Sequence, residues 1–176
     1  MQHQWPSLYV RTLTALLTRP GTFFANGFAA ISMGQATAIL IVSGLFFAVS
    51  GTFMAPGTAS VSMGVIWFVN AIGMVAIATA IGYVALATTA GRRYAFSRLW
   101  RIFSLSSGTV LLIAWVPSAF LLTEPWKWWL IGTGMVKGLG MSKLRAVITV
   151  LFTFGATVML IYWLLPLAHS LKSLAA

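Results

Sequence analysis

The sequence predicts an all-α, polytopic membrane protein, a bundle of five transmembrane helices preceded by an N-terminal interfacial amphipathic helix. The chain has 176 residues, of which 60% are hydrophobic and only 7% are charged. Soluble domains average about 25% charged residues, so this chain has too few charges to cover a surface that faces water. In addition, long apolar stretches alternate with short basic segments, and several of these stretches approach the roughly 20 residues needed to cross a bilayer.

The basic segment at residues 91–101 sets the predicted orientation. It holds four of the eleven basic residues, which are Arg92, Arg93, Arg98 and Arg101. A single arginine at the centre of a membrane helix costs about 2.5–3.5 kcal/mol on insertion scales. The segment is therefore expected outside the bilayer, and the excess of basic residues in cytoplasmic loops assigns it to the cytoplasm. It serves either as a topological anchor or as a binding site for a phosphorylated lipid or an acidic protein.

Residues 1–35 are predicted to form cytoplasmic interfacial helices. Arg11 lies on a different helical face from the apolar side chains of Leu8, Val10, Leu13, Leu16 and Leu17. Such a pattern is typical of a helix that lies on a membrane surface. Pro20 and Gly21 end this helix, and residues 22–32, with three phenylalanines, form a second short element. The alternative is a poorly ordered apolar tail.

Residues 36–166 are predicted to form the five-helix transmembrane domain, followed by a short non-cytoplasmic tail at 167–176. The predicted spans are 36–53, 61–89, 102–123, 126–140 and 146–165. The second is long enough to tilt, and Pro117 is expected to kink the third. The fourth is in question because the helical residues from Trp128 reach only about 20 Å, whereas the hydrocarbon core is about 30 Å thick.

The distribution of basic residues decides whether the fourth segment crosses. With five spans, Lys127 and Lys172 lie outside, and nine basic residues lie in the cytoplasm, namely Arg11, Arg19, Arg92, Arg93, Arg98, Arg101, Lys137, Lys143 and Arg145. If the segment re-entered instead, seven would lie inside and four outside. The positive-inside rule favours the first distribution. The amino terminus is therefore expected in the cytoplasm and the carboxyl terminus outside.

Two sets of residues are predicted to bind other molecules: basic residues that bind lipid headgroups or a partner protein, and small residues that pack against other helices. A net charge of +10 would suggest nucleic acid in a soluble protein, but here the basic residues sit between apolar spans. Anionic lipid headgroups on the cytoplasmic face, or a partner protein, are expected at Arg92, Arg93, Arg98, Arg101, Lys143 and Arg145. Small residues four apart let helices approach closely. Self-association or packing against other membrane protein subunits is expected at Ala76 and Ala80, Ala78 and Gly82, and Gly134 and Gly138.

No catalytic residue, metal site or cofactor is predicted. The sequence has no cysteine, and its acid–base candidates are Glu124, His3 and His169. The predicted topology places His3 in the cytoplasm and the other two outside, where they could meet, but each lies in a turn or tail beside basic residues. The leading function is therefore a non-enzymatic membrane scaffold or accessory subunit. The alternative is a small-solute transporter or channel whose path is lined by Asn70, Ser104, Ser106 and Ser107. Asn70 could instead donate a hydrogen bond to a neighbouring helix.

Four features resemble the Yip1-domain family of five-span membrane proteins. They are the proline and paired aromatics at residues 19–24, the long second span with its basic exit, the serine-rich start of the third span with Trp115-Val116-Pro117, and the closing helices at 128–146. Eukaryotic members of that family act in vesicle traffic with small GTPases. The resemblance is to the compact prokaryotic branch, which implies a bacterial cytoplasmic (inner) membrane and supports a topology more than an activity.

Overall fold

Helices make up all of the regular structure in the residues that the computed structural model describes, which confirms the predicted all-α class. These residues are 5–54, 61–89 and 94–174, with the side chains at 89, 117, 120 and 164–174 left out. Seven α-helices follow one another: α1 (Trp5–Thr18), α2 (Pro20–Thr22), α3 (Met33–Met54), α4 (Val61–Thr89), α5 (Phe96–Ala114), α6 (Phe120–Gly138) and α7 (Lys143–Leu174). A π-helical turn (Phe23–Gly27) and a 3₁₀ turn (Phe28–Ala30) continue α2, and residues 20–30 together are called the connecting segment.

The five long helices run in alternating directions. Gly44 of α3 faces Phe68 and Ile72 of α4, whereas Gly64 of α4 faces Thr52, so residue numbers rise along one helix and fall along the other. Helices α6 and α7 are antiparallel in the same way, because Trp128 contacts Phe154 and Gly132 contacts Val150.

Helices α3 and α5 run in the same direction. The Nε1–H of Trp100 donates a hydrogen bond to Thr37 Oγ1 at 2.8 Å, and the rings of Phe46 and Trp115 meet further along, with centroids 6.4 Å apart. Two parallel helices separated by one antiparallel helix give the order that five successive crossings would require.

Helix α5 is the centre of the bundle. It packs against α3, α4 and α6, and every residue from Ile102 to Val110 is buried. Gly108 makes this close packing possible because a β-carbon there would lie 3.4 Å from the Cα atom of Leu40. Small residues allow helix backbones to approach one another in this way. The buried serines and glycine at 104–108 therefore belong to the central helix of the fold.

Within the described residues, three helices are long and apolar enough to cross a membrane: Met33–Met54, Val61–Thr88 and Lys143–Trp163. They form the outer part of the bundle, and between 17% and 33% of their most apolar windows is buried within the protein. This architecture is compatible with an integral membrane protein. Helices α5 and α6 are not among the three, and both carry charged residues.

The helix bounds differ from the predicted spans in the second half of the chain. Helix α5 begins at Phe96, so Arg98 and Arg101 lie in its first two turns and not in a loop. Arginine is a good helix former, and charge does not prevent a helix from starting there. Residues 117–119 form a 3₁₀ turn between α5 and α6, so the predicted third span, 102–123, is divided where a kink was expected.

The two prolines near the predicted ends of spans lie inside helices. Helix α6 begins at Phe120 and contains Pro125 in its second turn, at the loss of one backbone hydrogen bond to the carbonyl of Leu121. Residues 124 and 125, between the predicted third and fourth spans, are therefore helical. Helix α7 continues through Pro166 to Leu174, so the expected tail at 167–176 is helical as far as it is described. Residues 54–60, between the first two predicted spans, lie mostly outside the described residues.

The N-terminal helices pack against the bundle. Leu13 and Leu16 of α1 are buried in the core, and the hydroxyls of Tyr9 and Ser43 are 3.0 Å apart, in hydrogen-bond contact. Phe24 and Phe28 of the connecting segment are also buried. Val10 and Leu17, which the sequence placed on the same face as Leu13 and Leu16, are exposed. The apolar face of α1 is thus narrower than predicted and is directed at the protein itself.

Candidate functional site

The predicted basic face is only partly exposed. Arg98, Lys143 and Arg145 are exposed, and Arg92 and Arg93 lie outside the described residues. Arg101 is half-buried. Its Nη1–H donates a hydrogen bond to the carbonyl oxygen of Ile31 at 2.7 Å, and its guanidinium carbon lies 4.6 Å from the centroid of the Phe28 ring.

These contacts give Arg101 a structural role. A guanidinium over an aromatic face is attracted by the ring quadrupole, and a hydrogen bond from a charged donor is stronger than one between neutral groups. Both contacts join α5 to the end of the connecting segment. Arg101 therefore holds the N-terminal part of the chain to the bundle, which the sequence did not indicate.

The small-residue pairs pack mainly within the chain. A β-carbon at Gly134 would lie 2.7 Å from Ile102 Cγ2 and 3.0 Å from Phe24 Cε1, and one at Gly138 would lie 3.1 Å from Phe28 Cδ1. Helix α5 and the connecting segment therefore cover the surface that the sequence assigned to self-association or to another membrane protein. Gly82 contacts Phe103 and Thr153 in the same way.

The remaining alanines of the predicted packing pairs lie on α4. Ala78 is buried, Ala76 is half-buried and Ala80 is exposed. Of the six predicted packing residues, Ala80 is therefore the one with an exposed side chain.

A cavity of about 600 Å³ lies between α4, α5, α6 and α7, with Phe47 of α3 also in its wall. This volume is within the range of small-molecule sites, which is roughly 300–1,000 Å³. The walls are mostly apolar, and the cavity is partly open to the surface of the bundle. Its polar side chains are Asn70, Ser107, Glu124, Lys127 and Thr157.

The charged groups of the cavity form an ion pair. Lys127 Nζ lies 2.6 Å from Glu124 Oε1, and the side chains are 21% and 29% exposed, respectively. Glu124 is the one acidic residue of the sequence. The predicted spans leave Glu124 between two helices, whereas α6 carries Glu124 and Lys127 one turn apart, in the wall of the cavity. Opposite charges three residues apart on a helix are the signal that could have predicted this pair.

The residues proposed for a solute path are not all at the cavity. Asn70 and Ser107 line it. Ser104 and Ser106 do not, and their hydroxyl oxygens are buried without a hydrogen-bond partner. Unpaired buried hydroxyls are costly, so these two serines place polar atoms in the central helix for which we have no structural account.

The described residues contain no group of three or more His, Cys, Asp or Glu side chains that could hold a metal ion. His3 and the side chain of His169 lie outside the described part. Comparison of the chain with protein-family models, with curated proteins and with solved structures gave no match. The resemblance to the Yip1-domain family therefore remains a prediction from the sequence.

Proposed function

We propose that this chain is a non-enzymatic membrane protein that crosses the bilayer five times and acts as a scaffold or accessory subunit of a larger membrane assembly. The alternating directions of α3 to α7 support the five crossings. In this proposal the exposed basic side chains Arg98, Lys143 and Arg145 hold anionic headgroups on the cytoplasmic side. A Yip1-type protein of a bacterial inner membrane fits this description.

The observation that carries the proposal is the outer surface of α7. This helix packs mainly against α4 and α6, and large apolar side chains such as Leu151, Phe152 and Met159 are exposed along it. Gly155 lies among them, with no heavy atom within 4 Å of an added β-carbon. A small residue between large apolar ones allows another membrane helix to approach closely, so a partner helix is expected at this surface.

Purification from native membranes in a mild detergent tests this proposal. We expect a second membrane protein to co-purify with the wild-type chain and to be lost in Gly155→Leu, because leucine fills the close-approach position. Gly73→Leu on α4 is the matched control, since Gly73 also has no heavy atom near an added β-carbon. A monomeric wild-type particle without any co-purifying protein would contradict the scaffold proposal.

The cavity supports a second candidate, a small-solute transporter or channel. Asn70, which is exposed, and Ser107, which is buried, are polar groups in the wall of the cavity, and polar residues in membrane helices often mark solute pathways. Solute flux into liposomes that carry the purified protein, and its loss in Asn70→Leu, would favour this candidate over the scaffold. Retention of the flux in Asn70→Leu would exclude Asn70 from the path.

A further inference from the structure

The cavity between α4, α5, α6 and α7 is polar at one end and apolar at the other. Helices α4 and α6 both run opposite to α5, so their lower-numbered residues lie at the same end of the bundle. Asn70 of α4 and the Glu124–Lys127 pair of α6 are therefore at one end of the cavity. Ala78 and Ile131 line the cavity further along these two helices and are apolar.

Aromatic side chains form the wall between the two ends, and Lys127 Nζ lies 5.6 Å from the centroid of the Trp128 ring. The buried Nε1–H of Trp128 has no hydrogen-bond partner in the described part of the chain. Trp128 contacts Phe103 and Phe154, with ring centroids 6.4 Å and 5.4 Å apart. Gly82, one turn beyond Ala78, is in contact with Phe103. The cavity wall runs along α5 from Phe103 to Ala114, a distance of about 16 Å at the helical rise per residue. This shape suits a molecule with an extended apolar part and a polar end.

The polar end carries no net charge, since one carboxylate and one ammonium are paired there. Each group keeps further hydrogen-bonding capacity, because the ammonium has three donors and the carboxylate has four lone-pair sites. A ligand with a net charge would leave an unbalanced charge in a medium of low dielectric constant, which is costly. A ligand that carries both charges can pair its cation with Glu124 and its anion with Lys127, so that no charge is left unbalanced.

We propose that this cavity binds one zwitterionic phospholipid. Lys127 contacts the phosphate, Glu124 contacts the ammonium group, and Asn70 donates to an oxygen of the headgroup or the ester. One acyl chain extends along the apolar wall toward Phe103. This inference rests on the insertion of the chain into a membrane but does not require a protein partner.

Native mass spectrometry of the delipidated protein tests the site with defined lipids. We expect one phosphatidylethanolamine to be retained per chain, and phosphatidylglycerol to be retained about tenfold less, a difference of about 1.4 kcal/mol. The double variant with Glu124→Gln and Lys127→Gln is expected to lose this preference. Lys137→Gln is the matched control, because Lys137 is an exposed residue of the same helix and is not part of the cavity wall.

A second pair of variants tests the apolar end independently of the charges. Ala78→Leu places a larger side chain in the cavity, whereas Ala80→Leu adds the same atoms at an exposed position of the same helix. We expect lipid retention to fall only in Ala78→Leu. Circular dichroism and the unfolding midpoint establish that each variant is folded. If the charge variant does not fold, the comparison of Ala78→Leu with Ala80→Leu tests the lipid site.

Three results would overturn the lipid site. They are equal retention of phosphatidylglycerol and phosphatidylethanolamine, unchanged retention in both cavity variants, and equally tight binding of phosphoethanolamine without acyl chains, which would indicate a small polar solute. Alkaline extraction of the membranes distinguishes a failure of the lipid-site proposal from a failure of the proposed membrane function. Release of the chain into the soluble fraction would contradict membrane insertion, whereas a retained chain without bound lipid would contradict the lipid site alone.

Discussion

At the scale of single residues, Arg101 joins two parts of the chain that are 70 positions apart, through the carbonyl of Ile31 and the ring of Phe28. Hydrogen bonds from charged groups contribute about 1.5–3 kcal/mol. We expect Arg101→Met to lower the free energy of unfolding in detergent by about 2 kcal/mol and to make residues 20–31 more sensitive to proteases. Arg98→Met, at an exposed position three residues earlier, is the control. Equal effects of the two variants would show that the Arg101 contacts contribute nothing.

Gly134 provides a test of close packing between α6 and its neighbours. In Gly134→Ala the new methyl group would lie 2.7 Å from Ile102 Cγ2, so a neighbouring side chain must move. Overpacking of this kind costs about 1–3 kcal/mol, and we expect a lower unfolding midpoint. Gly132→Ala on the same helix meets its nearest atom at 3.7 Å and should be neutral or slightly stabilising, because alanine is the better helix former. A stable Gly134→Ala variant would refute the packing described here.

The sequence revealed which residues are unusual but not what they contact. Arg101 stood out as part of a basic cluster, and its partners at Phe28 and Ile31 depend on how the connecting segment folds back. Gly134 and Gly138 were predicted to pack against another helix, and the side chains near them, Ile102, Phe24 and Phe28, come from the same chain. Glu124 and Pro125 lie between the predicted spans 102–123 and 126–140, whereas the structure places both inside α6.

At the scale of elements, α1 is a helix whose buried face can be tested residue by residue. Leu16 is 0% exposed and Leu17 is 41% exposed. Removal of a fully buried leucine side chain costs about 2–5 kcal/mol, so we expect Leu16→Ala to destabilise the protein and Leu17→Ala to change little. Thermal unfolding in detergent measures both. Equal, small effects would indicate that α1 is a loosely attached tail, which is the alternative that the sequence left open.

The helices were predicted best where apolar length alone defines them. The bounds of α4 agree with the predicted span at 61–89, and α3 and α7 contain the predicted spans at 36–53 and 146–165. Helices α5 and α6 were shifted because charges and prolines were interpreted as the ends of helices. Whether such residues end a helix depends on tertiary contacts, such as those of Arg101 with Ile31 and Phe28, that the local pattern does not contain.

At the scale of the whole molecule, the alternating helices connect the positions of the charges with the orientation of the chain. If α3 to α7 each cross the bilayer, the segment between α4 and α5 and the carboxyl terminus lie on opposite sides. The exposed basic residues Arg98, Lys143 and Arg145 then lie on the side of the α4–α5 segment, and the polar end of the cavity lies toward the other side.

Compartment reporters test this threading most directly. One reporter is inserted between α4 and α5, within residues 90–93, and a second is fused after Ala176. The five-crossing architecture predicts that the first is active only in the cytoplasm and the second only outside it. Activity of both reporters in the same compartment would contradict the five crossings and, with them, the proposed assignment of the two faces.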